Sequence, residues 1–135
     1  MRNQLEYVDS STEAAITRVA SHTETYEQVI WDNERFIAVG SGGIIHTSAD
    51  GATWTAQTSG ISTTLYDVLF NKWAVGERGV PEYIAVGQGG KVLITNDPTG
   101  TWYEKTTPIS DNLRAVAYDG TTYVAVGANG KIITS

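Results

Sequence analysis

The chain repeats itself, and that repeat restricts its fold more than any other feature. Val29-Ile-Trp-Asp-Asn-Glu-Arg-Phe-Ile-Ala-Val-Gly40 returns as Val116-Ala-Tyr-Asp-Gly-Thr-Thr-Tyr-Val-Ala-Val-Gly127. Between them, Val68-Leu-Phe-Asn71 and Tyr83-Ile-Ala-Val-Gly87 carry the same phrase, separated by an insertion from Lys72 to Pro81. After each Val-Gly comes a short turn: Ser41-Gly42-Gly43, Gln88-Gly89-Gly90 and Ala128-Asn129-Gly130. A further apolar segment follows each turn.

The period is roughly 40 to 47 residues, the range of β-propeller blades rather than of ankyrin or leucine-rich units. Each unit reads as four short strands. Strand one is Gln28–Trp31, Asp67–Phe70 and Arg114–Tyr118, and strand two carries Ile-Ala-Val or Val-Ala-Val. Strand three is Ile44 to Ser48, Lys91 to Thr95 and Lys131 to Ser135; strand four is Thr55–Thr58 and Tyr103–Thr107. The apolar runs are near-continuous, as expected where both faces of a strand are covered by neighbouring sheets. No helical period competes. The expected fold is all-β, with three four-stranded β-propeller blades.

The turn before strand four reads Ser48-Ala-Asp50-Gly51-Ala-Thr-Trp54, and again, one residue longer, Thr95-Asn-Asp97-Pro-Thr-Gly100-Thr-Trp102. An Asp at this place accepts backbone N–H bonds, Gly permits positive φ, and Trp plugs the turn with its indole N–H aimed at a carbonyl. The motif resembles the Asp box of the bacterial-neuraminidase repeat family. In that family these boxes staple hairpins on the propeller periphery, so the resemblance implies a structural role for Ser48, Asp50, Gly51, Trp54, Thr95, Asp97, Gly100 and Trp102. The longer phrase ending in Gly-Lys-Ile-x-Thr-Ser135 is similar to the tandem repeats of phage tail and other virion proteins. It looks more loosely like photosystem assembly-factor propellers and sialidases.

Spacing divides the chain into an N-terminal arm, 1–13, and propeller blades over 14–135. Trp54 precedes Leu65 as Trp102 precedes Leu113, and the same spacing before Tyr26 places Ile16-Thr-Arg-Val-Ala-Ser21 where a fourth strand belongs. Residues 14–25 are then an orphan fourth strand with its linker, 26–64 blade one, 65–112 blade two, and 113–135 the first three strands of blade three. Three blades are fewer than the four to eight of typical rings. The expected closure is therefore head to tail, the N-terminal strand of one copy completing the last blade of another. Two chains make a six-bladed ring, the expected homo-oligomer; three chains making nine blades, or pairing with another propeller protein, are the alternatives.

The net charge of −6 and the lack of a basic cluster argue against nucleic acid as a partner. No stretch reaches the ~20 apolar residues of a membrane span, and Met1 to Glu13 has no apolar core typical of a secretion signal. Cysteine is absent, which removes disulfides and thiolate chemistry. His22 and His46 are the two histidines; His46 stands in the slot of Leu93 and Ile133, so it is expected in a blade interface and not on a metal. No metal site or cofactor is expected. Glu24, Glu27 and Glu34 read as a solvated acidic patch.

A sialidase needs arginines converging on a substrate carboxylate. The chain has Arg2, Arg18, Arg35, Arg78 and Arg114, but Arg35 falls in a first hairpin loop and Arg114 near the start of a first strand, positions that are not equivalent. The long inserted loops that carry such catalytic groups are also lacking, so no catalytic residue is assigned and the chain is expected not to be an enzyme. Two surfaces are candidate contacts. One is the insertion, where Trp73 stands near Glu77 and Arg78, residue types enriched at hot spots; its alternative reading is a two-stranded extension whose Trp73 folds back on the blade. The other is the rim of glycine turns, with Ser41, Gln88 and Asn129, able to bind sugars or protein or simply to make turns.

The resemblance implies a bacteriophage virion component (tail, fibre or head decoration) located in the virion and docking to other virion proteins or host-surface glycans. The alternatives are a cytoplasmic scaffold or assembly factor that holds a partner protein on the propeller face, and a sialidase-like glycosidase.

Overall fold

The computed structural model of the chain describes residues 22–71 and 82–135. Among them the protein is all-β, with no α-helix. Eleven strands form three antiparallel sheets, each an up-and-down meander. Sheet I contains β1 (Tyr26–Trp31), β2 (Phe36–Gly40), β3 (Ile45–Ser48) and β4 (Thr55–Gln57). Sheet II contains β5 (Leu65–Asn71), β6 (Glu82–Gly87), β7 (Val92–Thr95) and β8 (Tyr103–Lys105). Sheet III contains β9 (Leu113–Tyr118), β10 (Tyr123–Gly127) and β11 (Ile132–Thr134).

The three sheets share one register. Val29 pairs with Ala38, Val68 with Ala85, and Val116 with Ala125. Each first strand is also bulged at the same place, between Tyr26 and Gln28, Leu65 and Asp67, and Leu113 and Ala115. The bulge explains why the first strands begin before the alternating pattern suggests, by two residues in sheets I and II and by one in sheet III: Tyr26, Leu65 and Leu113 pair with Gly40, Gly87 and Gly127 across the irregularity. The third strands start one residue later than expected. Ile44, Lys91 and Lys131 instead close the glycine turns, their carbonyls accepting from the N–H of Gly40, Gly87 and Gly127.

Strand alternation gives each sheet two faces, which the stacking of the sheets then covers. Ile37, Val39 and Ile45 of sheet I pack on Leu65, Val68, Tyr83, Ala85, Leu93 and Trp102 of sheet II. The opposite face of sheet II, Ile84 and Val86 with Val92 and Ile94, packs on Leu113, Val116, Tyr123, Ala125 and Ile133 of sheet III. Both faces of sheet II are thus buried, which is why its sequence lacks a polar alternation. Full burial of an aliphatic side chain, as at Ile37, Leu65 and Leu93, contributes about 1.5–3 kcal/mol.

Gly87 shows how close the backbone comes at the head of each sheet. A Cβ there would strike the Thr64 carbonyl, as it would strike Thr25 at Gly40 and Asn112 at Gly127. The segment read as an orphan fourth strand and the 1–13 arm lie outside the described residues. Among the described residues sheet III has three strands.

Candidate functional site

Each sheet presents two ends, and the residues singled out from the sequence fall on both. The first end holds the β1–β2, β5–β6 and β9–β10 hairpins together with the turns before β4 and β8. Asp50 Oδ1 accepts from the N–H of Ala52 and Thr53 at 2.8 and 2.9 Å. Ser48 Oγ accepts from Gly51 N–H at 2.8 Å and donates to Asp50 Oδ1 at 3.1 Å. Trp54 Nε1 donates to the Gly51 carbonyl at 3.1 Å, and Gly51 takes φ +80°.

The second turn reaches the same end by another path. Asp97 Oδ1 accepts from the Thr99 N–H and hydroxyl at 3.0 and 2.8 Å, and Thr95 Oγ1 lies 2.7 Å from the Thr101 carbonyl. Here positive φ at the glycine is not used: Gly100 is absent from the left-handed residues of the described chain, and its N–H donates to the Asp97 carbonyl at 2.9 Å. The extra residue and Pro98, whose ring restricts φ, move the Trp102 indole bond to the Pro98 carbonyl, at 3.1 Å. Trp102 is buried in the core between sheets I and II, whereas Trp54 is half-buried beside Phe36.

The sequence reading missed a third set of acids in the hairpins. Asp32 Oδ1 accepts from Glu34 and Arg35 N–H, at 2.8 and 2.7 Å, and its Oδ2 accepts from the Tyr83 hydroxyl at 2.6 Å. Asn71 occupies the equivalent place in sheet II and donates to the Tyr123 hydroxyl at 3.0 Å. Asp119 caps its own turn by accepting from Thr121 and Thr122 N–H at 2.8 Å each. The signal was present in the repeated Asp-Asn and Asp-Gly pairs, which favour this turn chemistry.

These bonds set the electrostatics. Backbone N–H groups hold the Asp50 and Asp119 carboxyls below the ordinary carboxylate range, and the Thr99 hydroxyl and N–H do the same to Asp97. Burial, then the Asp32 bond, raises the Tyr83 phenol; burial pushes Tyr123 up to about 12. Next to the first turn lies a polar cleft of about 510 Å³, lined by Glu34, Arg35, Thr47, Ser48 and Asp50 among others. The Arg35 guanidinium is engaged there by Glu34 at 2.8 Å and Asp32 at 3.5 Å. Arg114 sits over the Tyr66 ring instead, 4.3 Å from its centroid. These two arginines therefore have separate partners on separate sheets; Arg2, Arg18 and Arg78 lie outside the described residues.

The second end gathers the glycine turns. Ser41 Oγ accepts from Thr25 N–H at 2.9 Å, Gln88 Oε1 from Thr64 N–H at 3.3 Å, and Asn129 Nδ2 donates to Asp111 at 2.7 Å. All three side chains therefore tie a turn to the linker that enters its sheet. Asn129 also takes φ +58°, the left-handed place that Gly42 and Gly89 fill in the other turns. Trp73, Glu77 and Arg78, the other candidate contact, lie outside the described residues.

A third feature is an apolar cleft of about 410 Å³ between sheets II and III, beside β11. Ile84, Val92, Ile94, Lys105 and Ile133 line it. Between sheets I and II the turn before β8 brings in Trp102, which is buried in that core. His46 is buried on the face of sheet I turned away from sheet II, its ring packed by His22 and Tyr26. Burial and His22 lower its pKa, with Glu24 opposing. Glu24 and Glu27 are exposed, as is Glu34 on its arginine. Among the described residues no group of three or more His, Asp or Glu side chains is placed to hold a metal ion.

Comparison of the chain with protein-family models, curated proteins and solved structures finds no match in any of the three.

Proposed function

We propose that the chain is a non-catalytic structural and binding module whose three sheets are β-propeller blades. It assembles with a second copy into a six-bladed ring and serves as a bacteriophage virion component, in tail, fibre or head decoration. It docks to other virion proteins or to host-surface glycans, without a cofactor. The observation that carries this reading is the use made of the polar side chains: Asp32, Asp50, Asp97 and Asp119 each hold backbone or hydroxyl donors of their own turns. A general acid needs a raised carboxyl pKa, whereas Asp50, Asp97 and Asp119 are shifted downward.

The placement in a virion rests on the likeness of the repeats to phage tail proteins. The cleft beside β11 supports completion of the third blade by an added outer strand, for which residues 14–25 of the neighbouring copy are proposed. Mass spectrometry of purified particles from the source phage tests the assignment, with the chain expected at a fixed copy number. Its absence from particles, or recovery with one cytoplasmic partner from a cellular source, overturns the virion reading. Turnover of a fluorogenic sialoside overturns the non-catalytic one.

A further inference from the structure

The two outer faces of the stack repeat, position for position, faces that are buried inside it. On the rear of sheet I, Ile37, Val39 and Ile45 are buried by sheet II; on the rear of sheet II, Ile84 and Val86 are buried by sheet III. The matching residues of sheet III are Val124, Val126 and Ile132, and these are 36, 40 and 69 % exposed. The front faces behave likewise. Val68 and Phe70 of sheet II pack on sheet I, while their counterparts Val29 and Trp31 are 52 and 49 % exposed. An apolar area left open at both ends of a stack, and closed wherever two sheets meet, marks an interaction surface.

We propose that the rear of sheet III binds the front of sheet I of a second copy, so that Val124, Val126 and Ile132 cover Val29 and Trp31. This rests on the reading of the sheets as blades of a self-assembling ring, and it names the surfaces that meet. Charge selects the same partner. Along the first strands, Arg114 of sheet III lies over Tyr66 of sheet II. The residue equivalent to Tyr66 in sheet I is Glu27, so the next in-register neighbour of Arg114 across the new seam is a carboxylate. The backbone offers a second fit. Gly43 and Gly90, at φ +74° and +75°, approach the carbonyls of Ile61 and Ile109. Gly130 keeps the same conformation at φ +72°, with nothing within 4 Å among the described residues. The residue that precedes Tyr26 as Ile61 precedes Leu65 is His22, so the His22 carbonyl of the second copy occupies this place.

Sedimentation equilibrium of the 135-residue chain tests the seam, with far-UV circular dichroism as the control for folding. The wild type is expected as a two-chain species. Ile132→Lys is expected to weaken association about a hundredfold, since it puts a charge at the centre of the seam. Arg114→Glu and Glu27→Arg are each expected to weaken it about tenfold, and the double variant to recover to within about threefold of wild type. Arg114 and Glu27 are exposed, so the charge pair decides the matter if Ile132→Lys unfolds the chain. A wild-type monomer at all concentrations overturns both the seam and the two-copy ring. An oligomer indifferent to these substitutions overturns the seam alone, leaving strand donation standing. Absence from phage particles, with the seam intact, removes only the virion assignment.

Discussion

The Tyr26 hydroxyl and His46 Nδ1 are joined by a hydrogen bond of 2.5 Å, at the place where sheet II puts Leu65 and Leu93 in its core. Both substitutions occur in the same repeat, and each makes the other tolerable: the imidazole finds a partner in the phenol.

Replacing His46 by leucine follows from this pairing. Burial lowers the His46 pKa from its ordinary 6.5, so the folded state prefers neutral imidazole while the unfolded chain takes up the proton. The associated stability is present above about pH 6.5 and is lost as pH falls toward the depressed folded value. His46→Leu is expected to flatten urea-unfolding stability between pH 7 and pH 5, a window in which wild type weakens.

Carboxylate titration gives a second, lower window. Asp50, Asp97 and Asp119 are held below their ordinary 3.8 by donors within their turns. Their stabilising effect is complete above that value and disappears as pH drops through the depressed ones. Asp50→Ala is expected to lower the melting temperature at pH 7 by on the order of 5 °C, with a smaller difference at pH 2, measurable by calorimetry.

Tyr83 and Phe36 form a contrasting pair. Tyr83→Phe deletes the 2.6 Å bond to the buried Asp32 and is expected to cost about 1.5–3 kcal/mol by urea denaturation. The bond recurs between Asn71 and Tyr123, and the next in the series would join Asp119 to Phe36 of a second copy, where the hydroxyl is missing. If the proposed seam forms, Phe36→Tyr is therefore expected to tighten it severalfold in sedimentation equilibrium, leaving the monomer fold unchanged.

Packing is tested at Leu93 and Gly87. Leu93 is fully buried between sheets I and II, and Leu93→Ala is expected to cost about 2–5 kcal/mol. Gly87→Ala forces a Cβ onto the Thr64 carbonyl and is expected to be destabilising despite the small change. Gly60→Ala has open space around it among the described residues and only the strain of φ +83° to bear, so its cost is expected to be about 1 kcal/mol. Reversal of the Gly87 and Gly60 order in thermal melts would contradict the close-approach account.

Much of the architecture was legible in the chain. A threefold phrase with strand-forming residues and turn signals could only be three similar β units, and the register of Val29, Val68 and Val116 follows from it. The turn acids Asp50 and Asp97 were legible because their spacing to Gly and Trp is local. The bulges were not, since a bulge at Tyr26, Leu65 and Leu113 depends on how the entering linker meets Gly40, Gly87 and Gly127. Nor was the use of Ser41, Gln88 and Asn129 on those linkers, with partners 16 to 24 residues away.

By itself, then, the sequence determined the number of β units, the strand order within each, and the chemistry of each turn, because those depend on neighbours a few residues apart. Only the tertiary structure decided which face of each sheet is covered. Alternation says that a strand has two sides; it takes the stacking of sheets I, II and III to bury Ile37 and Ile84 while leaving Val124 and Ile132 open.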